Sequence, residues 1–506
     1  MLPPISRVAR VALLLLLAGS LTIPRAWAQT APAPRFDAAS CPFKMGAGLQ
    51  EGKDVRCGYL VVPEDHANPS GPTIKLAVAI FKSRHPAADG TPVFFLNGGP
   101  GGATVSELGP VISASNIDVV VGDHDLVLLD QRGTGLSRPS LSCKELDTLT
   151  ARTMNRKLTL AQAEALDLKT VAQCRARLAA SGVNLSAYTT LQDANDVADL
   201  RVALGYASVN LYGISYGTRL ALSVMRSFPQ GIRSVVLDSV YGPSVNVMTD
   251  PIRSAARDFN LLFASCAASR SCNRSSPNLK SAFYALVQRL DRQPAGVKLH
   301  LSWQTRPSPA LISGATLVDV LFNALYVSSL IPRLPQIITH AAHGKYGLLA
   351  NLISQVVAPP GSESYGMFLS VECSEDAPFA TEAGIVAAGQ SLAKPIRKDF
   401  VAVWKQVFHE CGVWNVAPVS AAQKQPVVSS IPTMVLEDQF DPITPPSYGQ
   451  AVAKTLSNGY FFTYPGLGHG ARFSDLCPYT MVADFYDDPS ARPDDSCIAQ
   501  MQKPFA

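Results

Sequence analysis

The sequence predicts an α/β fold in which a mostly parallel sheet is interrupted by a long helical stretch and then resumed. Three observations predict it. Short, nearly unbroken apolar runs recur at 55–62, 73–81, 93–96, 126–129, 209–212 and 235–237, the pattern of strands buried on both faces. From about Tyr241 to Pro426 such runs thin out and helical periodicity takes over, as at 281–290 and 316–328. Strand signals return at 433–436 and 460–464. These shifts divide the chain into a signal segment (1–28), a first core part (29–240), a helical cap insertion (241–426) and a C-terminal core part (427–506).

Taken in order, Arg7 and Arg10 precede an apolar run at 11–18, and Ala26-Trp27-Ala28 is a small-x-small cleavage signal. This is the anatomy of an export signal released before Gln29. The apolar run is too short to span a membrane stably, so no membrane attachment is expected after cleavage. Without Arg7, Arg10 and Arg25, the 43 basic residues fall to 40 against 39 acidic ones. That balance, with no run of five like charges, argues against nucleic acid as a partner. Ten cysteines, all beyond residue 28, predict disulfides in an exported chain. Their spacing suggests neighbours pairing in order, Cys266 with Cys272 first among them.

Zinc is the competing use of cysteines. There is no C-x-x-C and no H-E-x-x-H, and the one close histidine pair, His340 and His343, lies in an apolar helical stretch. No metal and no organic cofactor are therefore expected. A helix is predicted from Thr189-Thr190 to Leu204-Gly205, with Asp193 and Asp196 in its first turn, where acids suit the helix dipole.

The chemistry centres on Gly213-Ile214-Ser215-Tyr216-Gly217, which follows a strand and precedes a helix. Glycines two residues either side of a serine permit a tight turn that holds the hydroxyl out as a nucleophile. Serine needs an oriented base, and in such folds the chain order is serine, acid, histidine. Downstream, the strand at 433–436 runs into Glu437-Asp438-Gln439-Phe440-Asp441-Pro442-Ile443-Thr444-Pro445-Pro446, a proline-braced acidic turn. Asp441 is the chosen acid, and Asp438, nearer the strand end, is its rival. The strand at 460–464 leads into Pro465-Gly466-Leu467-Gly468-His469-Gly470. Of eight histidines only His469 sits on such a loop, and it is the predicted base.

An oxyanion hole requires backbone N–H groups. The Tyr216 amide is one candidate. The other is Gly99, in Asn97-Gly98-Gly99-Pro100-Gly101-Gly102, where glycines after a strand allow close backbone approach. The G-x-G-x-x-G spacing of a dinucleotide loop is absent. Ser391-Leu392-Ala393-Lys394 fits S-x-x-K, but neither S-D-N nor K-T-G occurs, and it is read as helix surface.

The loop at Asn97 resembles the H-G-G-P-G-G loop of prolyl aminopeptidases, and Asp130-Gln131-Arg132-Gly133-Thr134-Gly135-Leu136-Ser137 resembles their D-Q-R-G-x-G-x-S motif. With the serine, acid and histidine segments, the set is similar to the secreted tripeptidyl aminopeptidase branch of the α/β-hydrolase family. It departs from the prolyl enzymes at Asn97, where they carry histidine. The resemblance implies an α/β-hydrolase core with a mostly parallel central sheet and a large inserted helical cap. It also implies cap acids that capture a substrate's free ammonium. Ser370-Val371-Glu372-Cys373-Ser374-Glu375-Asp376 is the matching segment, with Glu375 leading and Glu372 and Asp376 behind it. Asp130 and Arg132 read as a structural pair bracing the oxyanion loop. The expected activity is that of a serine aminopeptidase acting on free N-termini. A carboxylesterase or amidase for small molecules is the alternative, and a catalytically silent binder the third reading.

Overall fold

The computed structural model describes residues 33–505. The signal segment 1–28 and the first half of the Ala31-Pro32-Ala33-Pro34 stretch lie outside them. A nine-stranded sheet organises the chain. Its strands are β1 (Arg35–Ala38), β2 (Val55–Pro63), β3 (Thr73–Phe81), β4 (Val93–Leu96), β5 (Leu126–Leu129), β6 (Val209–Ile214), β7 (Ile232–Asp238), β10 (Thr433–Asp438) and β11 (Gly459–Tyr464). The spatial order is β1-β2-β3-β5-β4-β6-β7-β10-β11. From β5 to β11 all neighbours are parallel, whereas β1, β2 and β3 form an antiparallel edge. Every residue of β4, β5 and β10 is buried, which explains why those segments read as continuous rather than alternating apolar runs.

Two apolar layers sandwich the sheet. One packs β2–β7 side chains against the helices Thr190–Ala203 and Tyr216–Ser227. The other buries the opposite face under the helix Leu476–Asp487. A third and larger cluster joins the helices between β7 and β10, such as Asp250–Ala268, Leu279–Arg292, Gly314–Leu325, Tyr365–Glu375 and Lys394–Trp414, to the helix Leu160–Ala180 that precedes β6. The sequence reading missed β1 and a hairpin within this insertion, β8 (Ala295–Leu299) with β9 (Ser308–Ile312). Both are short and only partly buried, so neither carries a strong apolar signature.

The ten cysteines form five disulfides: Cys41–Cys57, Cys143–Cys174, Cys266–Cys272, Cys373–Cys411 and Cys477–Cys497. They join in chain order, as the spacing suggested. Disulfides of this number are the chemistry of an oxidising compartment. Among the described residues no helix is long and apolar enough to cross a membrane.

Two readings of local structure need correction. The helix spans Thr190–Ala203 with Asp193 in its first turn, as expected, but its cap is Thr189, whose hydroxyl accepts from the Gln192 amide, and Asp196 lies beyond the first turn. Asp193 and Asp196 instead face inward. Asp196 pairs with Arg132 at 2.7 and 2.8 Å, and Asp193 accepts from the Tyr216 hydroxyl at 3.2 Å. Asp130 and Arg132 are not a pair either. The Asp130 carboxylate takes the amides of Thr104, Val105 and Leu136, bracing the loop that follows β4. Arg132 holds Asp196 and the carbonyls of Glu64 and Ala187. Both residues are buried, and each is satisfied separately. Ser391 and Lys394 sit at the turn opening the helix Lys394–Trp414, with the Ser391 hydroxyl donating to the Ala388 carbonyl.

Candidate active site

The parallel strands β4, β6, β7, β10 and β11 deliver their loops to one end of the sheet, under the helical insertion. Between them lies a cavity of about 680 Å³, within the range of substrate pockets. Its wall brings together Asn97, Gly98, Gly99, Ser215, Thr444 and His469, residues far apart in sequence.

Ser215 sits between β6 and the helix Tyr216–Ser227 with φ +56° and ψ −125°. A non-glycine residue there is strained by about 1–3 kcal/mol. The flanking glycines make the turn feasible. A methyl group at Gly217 would collide with the Leu96 carbonyl oxygen, and one at Gly213 with the Gly217 carbonyl oxygen. The helix therefore starts pressed against β4 and β6. Gly98 lies equally close, since a Cβ there would stand 2.9 Å from the Ser215 Cβ. The amides of Gly99 and Tyr216 have no acceptor among the described residues, so both remain available to a ligand oxygen. Asn97 fixes this loop: its Oδ1 accepts the Gly98 amide at 2.8 Å and its carbonyl accepts Gln131 Nε2 at 3.0 Å.

His469 Nδ1 stands 2.7 Å from Asp441 Oδ2. Asp441 is fully buried and receives the Ile443 and Thr444 amides at 3.0 and 2.8 Å and the Thr444 hydroxyl at 2.7 Å. These donors suit a carboxylate anion. Burial alone would lower the His469 imidazole, but Asp441, through charge and hydrogen bond, and then Asp238 outweigh it and raise it above its ordinary value. Asp438 is turned away from the imidazole toward the Ser239 hydroxyl at 3.2 Å. The insertion also grips the histidine. The His469 amide donates to the Tyr326 carbonyl at 2.9 Å, and the Tyr326 ring packs 4.9 Å from the imidazole.

The cap acids divide sharply. Glu375, the leading sequence candidate for substrate binding, does not line this cavity. Its carboxylate accepts the Thr190 amide and hydroxyl at 2.7 and 2.8 Å and lies 3.6 Å from Arg219. Asp376 is likewise engaged, by Lys424, by Arg219 at 3.3 Å, by the Tyr241 hydroxyl at 2.6 Å and by the Val247 amide at 2.8 Å. Glu372 alone of the three lines the cavity. It is fully buried, its Oε1 has no partner among the described residues, and Tyr241 reaches its other oxygen only at 3.4 Å. Burial and then the neighbouring Asp376 push its carboxyl well above the usual range.

Two further acids on the wall were missed by sequence reasoning, Glu107 and Glu363. Glu107 follows the glycine loop in a short helical turn, a position its spacing from Gly102 would have revealed. Glu363 arrives on an insertion segment bridged to Gly102, which nothing local in the sequence signals. Burial and then the Glu363 charge raise Glu107 to about 7.

A family model for the alpha/beta hydrolase fold matches residues 91–475. The chain belongs to the α/β-hydrolase family. It is similar to the serine protease Hip1 of Mycobacterium tuberculosis, 26% identical over 446 residues that cover 83% of each chain. The tripeptidyl aminopeptidase of Streptomyces coelicolor is 32% identical over 196 residues, 38% of this chain and 36% of that one. The carboxylesterase B of Mycobacterium tuberculosis is 27% identical over 478 residues, 88% and 87% of the two chains. Within the α/β-hydrolases this chain is a serine hydrolase of the peptidase-related branch.

Proposed function

We propose that this α/β-hydrolase is an exported serine aminopeptidase that releases short peptides or single residues from free N-termini. Ser215 Oγ attacks the scissile carbonyl, His469 takes its proton and passes it to the leaving amine, and Asp441 holds the imidazole in the required tautomer. The Gly99 and Tyr216 amides receive the developing oxyanion. Water, activated by the same histidine, then releases the acyl group from Ser215.

The observation that carries the peptide reading is the set of carboxyl groups on the cavity wall. Its lining includes three carboxyl groups, Glu107, Glu363 and Glu372, and no lysine or arginine. Burial holds these carboxyls above their ordinary range. A cationic near end, as a free α-ammonium is, supplies the partner that draws out their charge, with charged hydrogen bonds of this kind contributing about 1.5–3 kcal/mol. Relatives named serine protease and tripeptidyl aminopeptidase support the same choice. The second reading, an esterase or amidase for small neutral substrates, draws on the carboxylesterase relative that spans most of the chain.

Purified protein offered tripeptide p-nitroanilides, their N-acetylated forms and acyl p-nitrophenyl esters separates the two. Cleavage of the free peptides, abolished by N-acetylation, is the expected result. Equal turnover of blocked peptides, or of esters alone, favours the second reading. Ser215→Ala removes activity in either case.

A further inference from the structure

Asp238, the last residue of β7, lies outside the serine–acid–histidine set, yet it touches both halves of it. Its backbone carbonyl accepts the Ser215 amide at 3.0 Å, and its register partners are Ile214 on β6 and Leu436 on β10. Its side chain reaches the other way. Oδ1 accepts the Ala471 amide at 2.9 Å, and Oδ2 accepts the Arg472 amide at 3.0 Å and the Tyr212 hydroxyl at 2.5 Å. The next residue, Ser239, holds φ +58°, and its hydroxyl accepts the Gly470 amide at 2.8 Å. The three consecutive amides after His469 thus end on two adjacent residues, the last of β7 and the one after it, at the strand end that also pins the serine turn.

We infer that Asp238 is a positioning residue, a brace that sets the separation between Ser215 and the His469 loop. The inference rests on the reading of Ser215 and His469 as nucleophile and base. Its side chain is fully buried, and burial raises its carboxyl above the ordinary value, while the three converging donors and the His469 charge offset part of that rise. Asp438 completes the brace. Its Oδ2 meets the Ser239 hydroxyl, its Oδ1 has no partner among the described residues, and burial followed by the Asp238 charge pushes it well above the usual carboxylate range. Asp438 is thus the less well satisfied acid of the two, at a strand end that does not reach the imidazole.

The groups facing Asp238 are Tyr212 from β6, Tyr464 from β11, Tyr486 from the helix Leu476–Asp487, Glu437 and Asp438 from β10, and His469 and Arg472 from the loop. Among them His469 feels Asp238 as a second anion that raises it. Removing the charge lowers the imidazole, so the rise of rate with pH begins at a lower pH. A merely structural residue would not move that limb.

The test uses the full exported protein with Asp238→Asn and Ser239→Ala, each checked for folding by thermal melting. The readouts are the rate of Ser215 labelling by a fluorophosphonate and the pH profile of p-nitrophenyl ester hydrolysis, which serve peptidase and esterase alike. Asp238→Asn is expected to slow labelling and kcat by about 10²-fold, the scale of a 1 Å misplacement, with KM held and the acid limb moved to lower pH. Ser239→Ala, which removes one acceptor and no charge, should cost roughly 10-fold and leave the limb in place. A folded Asp238→Asn with the unmodified labelling rate and pH profile overturns the inference. If Asp238→Asn does not fold, unmodified kcat in Ser239→Ala overturns it. Failure of the unmodified protein to label at all overturns the nucleophile reading and this inference with it.

Discussion

The two acidic segments at the site, Glu437-Asp438-Asp441 in the core and Glu372-Glu375-Asp376 in the insertion, distribute their partners in opposite ways. In the core, Asp441 is fully engaged while Glu437 and Asp438 each keep one oxygen without a partner among the described residues. In the insertion, Glu375 and Asp376 are engaged while the cavity-lining Glu372 keeps the free oxygen. Asp441 receives two amides, a hydroxyl and an imidazole. Glu372 receives little beyond a long contact from Tyr241. The core acid has its oxygens filled by donors from within the fold. The cap acid is buried without donors and is pushed up, so its charge waits for a cation. The comparison teaches that donors, not the presence of carboxylates, separate an acid completed within the fold from one that a ligand completes.

Breaking the core half should have the largest effect. Asp441→Asn keeps the shape but offers the imidazole the wrong partner, and kcat should fall by about 10⁴-fold, read by steady-state kinetics on the free tripeptide anilide. Glu372→Gln breaks the cap half. It should raise KM for free tripeptides by roughly 10–100-fold, the equivalent of about 1.5–3 kcal/mol, while N-acetylated substrates and small esters are unaffected. A parallel loss on blocked substrates would falsify the ammonium assignment.

Glu375→Gln sharpens the contrast. Its carboxylate ties Thr190, and through Thr190 the Tyr216 hydroxyl, to the insertion. Thermal and urea unfolding should register a loss of about 1–3 kcal/mol while KM for the free peptide stays where it is. The smallest effect is one of pH. Glu107 sits at about 7 and gains its charge as pH rises through that value. KM for free peptides should therefore fall several-fold between about pH 6 and 8, before the substrate amine itself loses its proton near 7.7–8.0. The acid limb of kcat should lie above the usual imidazole value near 6.5, because the net shift of His469 is upward. A limb below 6.5 would contradict the Asp441–His469 pair.

The core half was legible in the sequence because its determinants are local. Glycines at 213 and 217 are demanded by backbone contacts at the strand–turn–helix unit and the adjoining β4, and Asp441 and His469 each lie on the loop that follows a strand, β10 buried throughout and β11 in part. The cap half was legible only as a group. Glu372, Glu375 and Asp376 stand three and four residues apart, so one face of the helix end presents all of them. Which one meets the cavity is decided by Thr190, Arg219 and Lys424, contributed from distant parts of the chain. Asp193 and Asp196 misled for the same reason. Their sequence position matches a helix start, but their partners, Tyr216 and Arg132, come from other strands' loops. The β8–β9 hairpin escaped because only alternate residues of it are covered.

The order of the disulfides has a consequence for how the chain matures. Each cysteine joins the next one along, across separations of 6 to 38 residues, and no bridge spans from the core to the insertion. In a chain that emerges N-terminus first, each thiol meets its partner before the next pair appears. Stepwise oxidation then yields the native set without reshuffling, and the two halves of the sheet remain free to meet around an insertion whose own staples are already closed.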